Sequence, residues 1–255
     1  MSPALVTTSL GSVAVLRLDN PPLNLVTLEL TEALDAALSR IEADPSVRAV
    51  VVAGAGERAF CAGSDVTEFE ALRGRVGAGK LVRENEVYDH LAGLEVPTVA
   101  AIEGDALGGG LELAMCCDLR VASARARLGM PELRLGVIPG SGGTHRLPAL
   151  VGPAKAKEMI LLGLPLSADE AKRIGLVNEV VPVGAAEAVA MEWAGIIATR
   201  GPVAEREAKR AIDAAGSPGA ADEALRASER VFQTEDMLEG VRAFKDKRAP
   251  DFQGK

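Results

Sequence analysis

The sequence is poor in aromatic residues, which make up only 3% of its 255 residues. It contains 48% hydrophobic and 25% charged residues, as folded globular proteins do, so its core must be built from aliphatic side chains. The formal net charge is −8. An acidic chain disfavours nonspecific nucleic-acid binding, because that binding needs basic groups that displace counterions. We therefore expect no nucleic-acid partner.

Cysteines and long apolar runs are also scarce. The three cysteines are Cys61, Cys116 and Cys117, and neither their odd number nor their spacing fits a disulfide framework or a zinc site. The apolar runs are far shorter than the about 20 residues that cross a bilayer. The N-terminal segment MSPALVTTSLGS lacks the basic and apolar regions of a signal peptide. We expect a cytoplasmic protein with no membrane segment and no metal site.

Strand-like and helix-like segments alternate through most of the chain. Four apolar segments have strand patterns: Ser12–Leu18, Arg48–Gly54, Pro97–Gly104 and Asp118–Ser123. Two segments between them have helical patterns: Leu28–Asp44 and Asp65–Leu94. This alternation predicts an α/β fold with substantial parallel pairing. We assign residues 1–195 to an α/β core and residues 196–255 to a helical tail that covers this core or a neighbouring subunit.

One motif matches a known phosphate-binding sequence only in part. The segment Gly74–Lys80, GRVGAGK, has the glycine and lysine spacing of a phosphate-binding P-loop. However, Leu81 stands where that motif needs Ser or Thr, and the preceding residues have a helical pattern, not a strand pattern. The chain also contains no HExxH and no GxSxG sequence. A P-loop nucleotidase and a serine hydrolase are therefore weak alternatives.

Two glutamates stand in glycine-rich, apolar surroundings. Glu112 lies in GDALGGGLELAMCCD, and Glu132 lies in LGMPELRLGVIPGSGGTHRL. Carboxylates are costly to bury and are usually paired or functional where they are buried. Each glutamate also has a simpler explanation as an acid in the first turn of a helix. If both face one pocket, they can serve as an acid and a base in a small-molecule reaction.

Two glycine-containing loops accompany these glutamates. Gly108–Gly110 forms either a tight turn or the start of a helix whose backbone N–H groups face a ligand. FCAGSD (Phe60–Asp65) follows an apolar strand and can present a further amide, that of Ser64. A pair of such amides can stabilise an enolate-like oxygen.

Together these motifs resemble the crotonase superfamily, also called the enoyl-CoA hydratase/isomerase superfamily. The resemblance covers nearly the whole chain: LDNPPLN, AFCAGSD, ALGGGLELAMCCD, MPELRLGVIPGSGGTHRL and EGVRAFKDKRAPDF. It implies an α/β fold in which β-β-α turns form a spiral, with a helical C-terminal region that mediates trimer or hexamer formation. It also implies an acyl-CoA thioester as substrate, and neither a metal nor a cofactor other than the substrate's own coenzyme A.

The resemblance implies roles for individual residues. The backbone amides of Ser64 and Gly109 would form the oxyanion hole. Glu112 and Glu132 would add water across the C2–C3 double bond of a trans-2-enoyl-CoA, Glu112 by activating water and Glu132 by protonating C2. The expected contacts to substrate and coenzyme A are Leu23, Ala62, Asp65, Phe244 and Lys247.

Other functions remain as alternatives. Isomerisation, decarboxylation or hydrolysis of an acyl-CoA on the same scaffold usually needs one of the two carboxylates, or places them differently. A non-catalytic acyl-CoA-binding protein would have no need of two buried carboxylates. The presence of both glutamates favours hydration.

Overall fold

The computed structural model describes residues 6–9 and 11–255. The strands in this part of the chain are β1 (Val6–Ser9), β2 (Val13–Leu18), β3 (Ala49–Gly54), β4 (Ala59–Cys61), β5 (Thr98–Ile102), β6 (Asp105–Leu107), β7 (Leu119–Ser123), β8 (Arg127–Gly129), β9 (Leu166–Ser167) and β10 (Glu179–Val181). The α-helices are α1 (Leu28–Glu42), α2 (Val82–Ala92), α3 (Gly109–Ala114), α4 (Gly143–Val151), α5 (Pro153–Leu162), α6 (Ala168–Arg173), α7 (Ala186–Ile197), α8 (Pro202–Asp213), α9 (Ala220–Phe232) and α10 (Glu235–Asp246).

The strands form two sheets, and the chain alternates between them as it winds through a spiral. The larger sheet has the order β1-β2-β3-β5-β7-β10, and the smaller has the order β4-β6-β8-β9. Neighbours are parallel except at β1–β2 and β8–β9. In the successive pairs β3–β4, β5–β6 and β7–β8, the first strand enters the large sheet and the second enters the small one. The predicted α/β fold with its spiral of β-β-α turns is confirmed.

Two glycines allow the chain to pass from one sheet to the other. A Cβ atom on Gly54 would lie 2.4 Å from the carbonyl oxygen of Phe60, and one on Gly104 would lie 2.4 Å from that of Arg58. No side chain fits at such distances, so glycine is required by close backbone approach. Both glycines contact the same stretch around β4, which brings successive turns of the spiral together.

Helix α7 lies on the large sheet through a stripe of small residues. Ala186, Ala190 and Ala194 are buried, and their spacing of four places them on one helix face. They pack in one cluster with buried residues of the large sheet: Ala49, Val51, Ala53, Val99, Ala101 and Val121. The boundary that we drew between residues 195 and 196 therefore falls inside α7, near its end at Ile197.

The segment before α2 departs from our expectation. We predicted helix throughout Asp65–Leu94, and this prediction is wrong for the first half of the segment. That half contains a short 3-10 turn at Val66–Glu68, further turns, and a π-helical turn at Gly77–Leu81. Glycines at positions 74, 77 and 79 weaken a helix, and Gly74 has a φ of +77°. The irregular backbone forms one wall of the cavity described below.

The last three helices extend from the core. The ammonium group of Lys209 on α8 donates a 2.9 Å hydrogen bond to the carboxylate of Asp118, which also accepts from the amide of Thr98. This bond attaches the helical region to the start of β7. Among the described residues, no helix combines the length and the apolar character that crossing a membrane would need.

Candidate active site

A cavity of about 720 Å³ opens between the irregular segment before α2, the start of α3 and the turn around residue 132. Its apolar lining comes from these side chains: Val66, Phe69, Leu72, Val76, Leu81, Leu135, Val137 and Ile138. Both predicted glutamates, Glu112 and Glu132, line the same cavity, together with Ser64 and Gly109. An apolar pocket with a few convergent polar groups is the usual form of a small-molecule site.

The amides of Ser64 and Gly109 lie side by side. A Cβ atom on Gly109 would lie 3.7 Å from the amide nitrogen of Ser64, and one on Gly63 would lie 3.7 Å from the amide nitrogen of Gly109. Within the described residues, neither amide donates a hydrogen bond to another protein group. Two free, adjacent N–H groups at a pocket wall can hold a negatively charged oxygen.

The three glycines before Glu112 have separate structural roles. Gly108 has a φ of 52° and a ψ of −126°, a conformation that is open mainly to glycine. Gly110 packs against β4 so closely that a Cβ atom there would lie 1.9 Å from the carbonyl oxygen of Cys61. This contact seats α3 directly on the strand that leads to Ser64, which is how the amides of Ser64 and Gly109 come together.

Glu112 is held by one of its two carboxylate oxygens. Oε1 accepts hydrogen bonds from the amides of Ser141, at 2.9 Å, and Gly143, at 2.7 Å. Oε2 lies on the side of the amides of Ser64 and Gly109, 3.8 Å from the position of a Cβ atom on Gly109. The carboxylate is therefore fixed in orientation, with its second oxygen available to a reactant.

Glu132 has a different environment. It lies in a 3-10 turn, Glu132–Leu135, after Pro131. Both carboxylate oxygens are shielded from solvent, and no other residue in the described part of the chain donates a hydrogen bond to them. Its Oε1 would lie 3.0 Å from a Cβ atom on Gly108. A buried carboxyl group without partners requires an explanation, and a reactant in the cavity supplies one.

Burial raises the pKa of both glutamates. The pKa of Glu112 rises to about 7, because burial and the nearby charges of Glu132 and Glu84 outweigh the stabilising amides of Gly143 and Ser141. Burial also raises the pKa of Glu132. A carboxyl group with a raised pKa binds and releases a proton closer to neutral pH than an ordinary one, which suits general acid–base chemistry.

The predicted coenzyme A contacts are divided between two places. Ala62 lines the main cavity. Leu23 lies next to it, because its carbonyl accepts a 3.0 Å hydrogen bond from the amide of Ala62. Asp65 caps the turn that follows, where its Oδ1 accepts from the amide of Thr67 at 2.9 Å.

The two C-terminal candidates lie elsewhere. Phe244 is 86% exposed and lines a second cavity of about 440 Å³ on the helical region. Lys247 is exposed at the end of α10. Within the chain, the structure does not bring either residue to the cavity that holds the glutamates.

Sequence reasoning missed several residues of the site. Glu84 and Ser141 line the cavity beside Glu112, and the hydroxyl of Ser141 donates a 2.7 Å hydrogen bond to Glu84. The phenol of Tyr88 donates a 2.9 Å hydrogen bond to the carbonyl of Gly109. The only sequence signal for Glu84 was its spacing of four residues from Lys80, which places both on one side of a helical segment.

Lys80, the lysine of the P-loop-like motif, is not available to a phosphate. Its ammonium group is buried, 2.5 Å from a carboxylate oxygen of Glu68 and 3.0 Å from the carbonyl of Val26. Among the described residues, no group of three or more His, Cys, Asp or Glu side chains is arranged to hold a metal ion.

Known proteins are similar to this chain over nearly its whole length. A family model described as enoyl-CoA hydratase/isomerase matches residues 8–255. The short-chain-enoyl-CoA hydratase of Clostridium acetobutylicum is 42% identical over 93% of this chain and 93% of its own. The crotonyl-CoA hydratase of Syntrophomonas wolfei is 37% identical over 94% of each chain.

A solved structure has the same fold. The crystal structure of an enoyl-CoA hydratase from Bacillus anthracis superposes with a TM-score of 0.94 at 39% sequence identity, covering 98% of this chain and 100% of that one. The chain belongs to the enoyl-CoA hydratase/isomerase family.

Proposed function

We propose that this enzyme is an enoyl-CoA hydratase in which Glu112 and Glu132 add water across the C2–C3 double bond of a trans-2-enoyl-CoA. The observation that carries the proposal is the placement of both carboxyl groups and both free amides on one apolar cavity. The acyl group would occupy that cavity, and the thioester oxygen would accept hydrogen bonds from Ser64 and Gly109.

The different surroundings of the two glutamates support different roles. The two amides on Oε1 of Glu112 favour its ionised form, so Glu112 acts as the base that accepts a proton from water through Oε2. Glu132 lacks such donors, so its neutral form is favoured and it delivers a proton to C2. The water oxygen bonds to C3 as the C2–C3 π bond breaks.

The oxyanion amides make the addition possible. As water attacks C3, negative charge moves to the thioester oxygen, where Ser64 and Gly109 stabilise the enolate. Loss of one such donor in other enzymes costs about 3–4 kcal/mol of transition-state stabilisation. No step requires a metal or a redox cofactor, and we propose that the substrate's coenzyme A is the only nucleotide group in the reaction.

The test is the loss of enoyl-thioester ultraviolet absorbance with trans-2-enoyl-CoAs of graded length. Wild-type protein should hydrate them, and Glu132→Gln should lose at least about 10²-fold in kcat while still binding the CoA thioester. Glu29→Gln, which changes an exposed glutamate on α1, should remain active. Near-normal hydration by Glu132→Gln would refute the role of Glu132. Thioester binding without hydration by wild-type protein would instead favour isomerisation.

We also propose that α8, α9 and α10 mediate a homotrimer or a homohexamer in the cytoplasm. Large apolar side chains on these helices are exposed in the single chain: Ile212, Leu225, Phe232, Leu238, Val241 and Phe244. Apolar patches of this kind commonly mark subunit contacts. In such an assembly Phe244 and Lys247 would reach coenzyme A bound to a neighbouring subunit. Sedimentation analysis, with Phe232→Glu beside wild type, tests the assembly.

A further inference from the structure

A second group of buried charges lies beside the catalytic pair. Lys80 and Glu84 are each 1% exposed, and Ser141 is 2% exposed. The ammonium group of Lys80 lies 2.5 Å from Oε2 of Glu68 and 3.5 Å from Oε1 of Glu84. Burying charges is costly, and the hydration mechanism described above makes no use of this group.

Glu84 is connected to Glu112 through one residue. Oε2 of Glu84 accepts a 2.7 Å hydrogen bond from the hydroxyl of Ser141, and the amide of Ser141 donates a 2.9 Å hydrogen bond to Oε1 of Glu112. The side chain of Ser141 is thereby fixed by one carboxylate while its backbone binds the other. A movement of Glu84 would therefore shift Ser141 and, through its amide, Glu112, which activates water.

The contacts of Glu84 are not those of an ion pair that serves stability alone. Such a pair is favourable only when its remaining hydrogen-bonding positions are satisfied. Oε1 of Glu84 has no hydrogen-bond partner in the described part of the chain, and Lys80 lies nearer to Glu68 than to Glu84. Burial therefore raises the pKa of Glu84 itself, because its hydrogen bond with Ser141 and the charge of Lys80 only partly offset the loss of water. In its ionised form, Glu84 adds to the causes that raise the pKa of Glu112.

Helix α2 makes two more contacts with the active site. The side-chain amide of Asn85 donates a 2.8 Å hydrogen bond to the carbonyl of Gly140, next to Ser141. One turn after Glu84, Tyr88 donates to the carbonyl of Gly109, whose amide belongs to the oxyanion hole. One face of α2 thus supports both the water-activating group and the oxyanion hole.

We propose that Glu84 is a positioning residue for hydration: it holds Ser141 so that the serine amide anchors Glu112, and its negative charge keeps Glu112 basic. This inference rests on the proposed function. The titratable side chains that act on Glu84 or Glu112 are Lys80, Glu68, Glu132, Tyr88, Cys61 and Cys116. Burial raises the pKa of the phenol and of both thiols, so these three groups stay neutral near pH 7.

The test compares the pH profile of kcat/KM, between about pH 5 and 9, for wild type, Glu84→Gln and Glu68→Gln. The acid limb reports ionisation of the base in free enzyme. Glutamine at position 84 keeps an oxygen for Ser141 but removes the charge that raises the pKa of Glu112, so the limb should move to lower pH. Glu68→Gln removes the other carboxylate from Lys80 without touching Ser141 and should leave the limb in place.

The outcomes separate positioning from stability. If Glu84→Gln lowers thermal stability but leaves the acid limb at its wild-type pH, or if both variants move the limb equally, the proposal is wrong. If Glu84→Gln does not fold because Lys80 then keeps only Glu68 as a carboxylate partner, Lys80→Met/Glu84→Gln removes both charges together. Replacing both members of a buried pair is often tolerated. The limb of this double variant should also move to lower pH, but by less than in Glu84→Gln, because loss of the Lys80 cation acts in the opposite direction.

A measurement without substrate separates this proposal from the proposed function. Carboxyl carbons of ¹³C-labelled glutamate can be titrated by NMR, with the signal of Glu112 assigned by its loss in Glu112→Gln. The midpoint for Glu112 should be lower in Glu84→Gln than in wild type even if no enoyl-CoA is hydrated. An unchanged midpoint would overturn the coupling, whatever reaction the enzyme catalyses.

Discussion

Gly108 leaves room for the side chain of Glu132 at the active site: a Cβ atom on Gly108 would lie only 3.0 Å from Oε1 of Glu132. Gly108 also has a backbone conformation, φ 52° and ψ −126°, that side chains strongly disfavour. Two observations therefore explain the glycine at this position: the backbone conformation at the start of α3, and the space that the carboxyl group of Glu132 occupies.

Gly108→Ala should damage both stability and catalysis. The backbone strain should cost about 1–3 kcal/mol of unfolding free energy, and the new methyl group should displace the Glu132 carboxyl and lower kcat. Thermal or urea unfolding and the absorbance assay measure the two effects. Gly219→Ala is the matched control, because Gly219 has a φ of 87° with open space around it. It should lose stability but keep its kcat, and a comparable loss of kcat there would contradict the argument.

Glu112→Gln should stabilise the protein at high pH while it abolishes hydration. The pKa of Glu112 is raised from an unfolded value of 4.5 to about 7, so the folded state holds its proton more tightly than the unfolded state. In the wild type, the stabilisation of the folded state by this proton is fully present below pH 4.5 and is lost as the pH rises through 7. Glutamine does not titrate, so the stability of the variant does not decrease in this way as the pH rises.

The stability difference should therefore grow with pH. Urea unfolding of wild type and Glu112→Gln should show that the advantage of the variant increases between about pH 5 and pH 8, by up to about 2–3 kcal/mol. Glu29→Gln, at an exposed position, should show no such trend. An advantage that is constant with pH would mean that Glu112 is not the group that titrates.

Sequence could single out Glu112, Ser64 and Gly109 as candidate site residues because their determinants are local. Gly108 caps the short helix that carries Gly109 and Glu112, and Ser64 lies in the loop that follows a buried strand. The alternation of strands and helices likewise predicted the α/β fold, because burial in a parallel sheet leaves an apolar pattern in the chain.

The residues that hold Glu112 and Gly109 in place could not be predicted from the sequence, because their roles depend on tertiary contacts. Glu84 and Ser141 are 57 positions apart, and Tyr88 is 21 positions from Gly109. In sequence, Glu84 has the appearance of an ordinary polar residue on an amphipathic helix. Only the packing of α2 against the active site shows that this position is buried. The irregular wall before α2 was missed because we interpreted Asp65–Leu94 as one polar helical segment and gave no weight to the glycines at positions 74, 77 and 79.

Tyr88→Phe should weaken the oxyanion hole through the backbone. Tyr88 is buried, and its phenol donates a 2.9 Å hydrogen bond to the carbonyl of Gly109. Loss of a buried hydrogen bond costs about 1–2 kcal/mol of stability. We expect kcat to fall as well, by up to about tenfold, equal to about 1.4 kcal/mol, because the Gly109 peptide loses one of the contacts that fix its orientation.

A buried hydroxyl away from the site provides the control for that variant. Thr31 is fully buried on α1, and its hydroxyl donates a 2.9 Å hydrogen bond to the carbonyl of Thr27. Thr31→Val should lose a similar amount of stability with no change in kcat.

Since Tyr88 is the only tyrosine in the chain, its ionisation can be followed by absorbance. Burial holds its pKa well above 10, so tyrosinate should appear only as the protein unfolds in alkali. Ionisation near pH 10 in the folded enzyme would show that the phenol is exposed and does not hold Gly109.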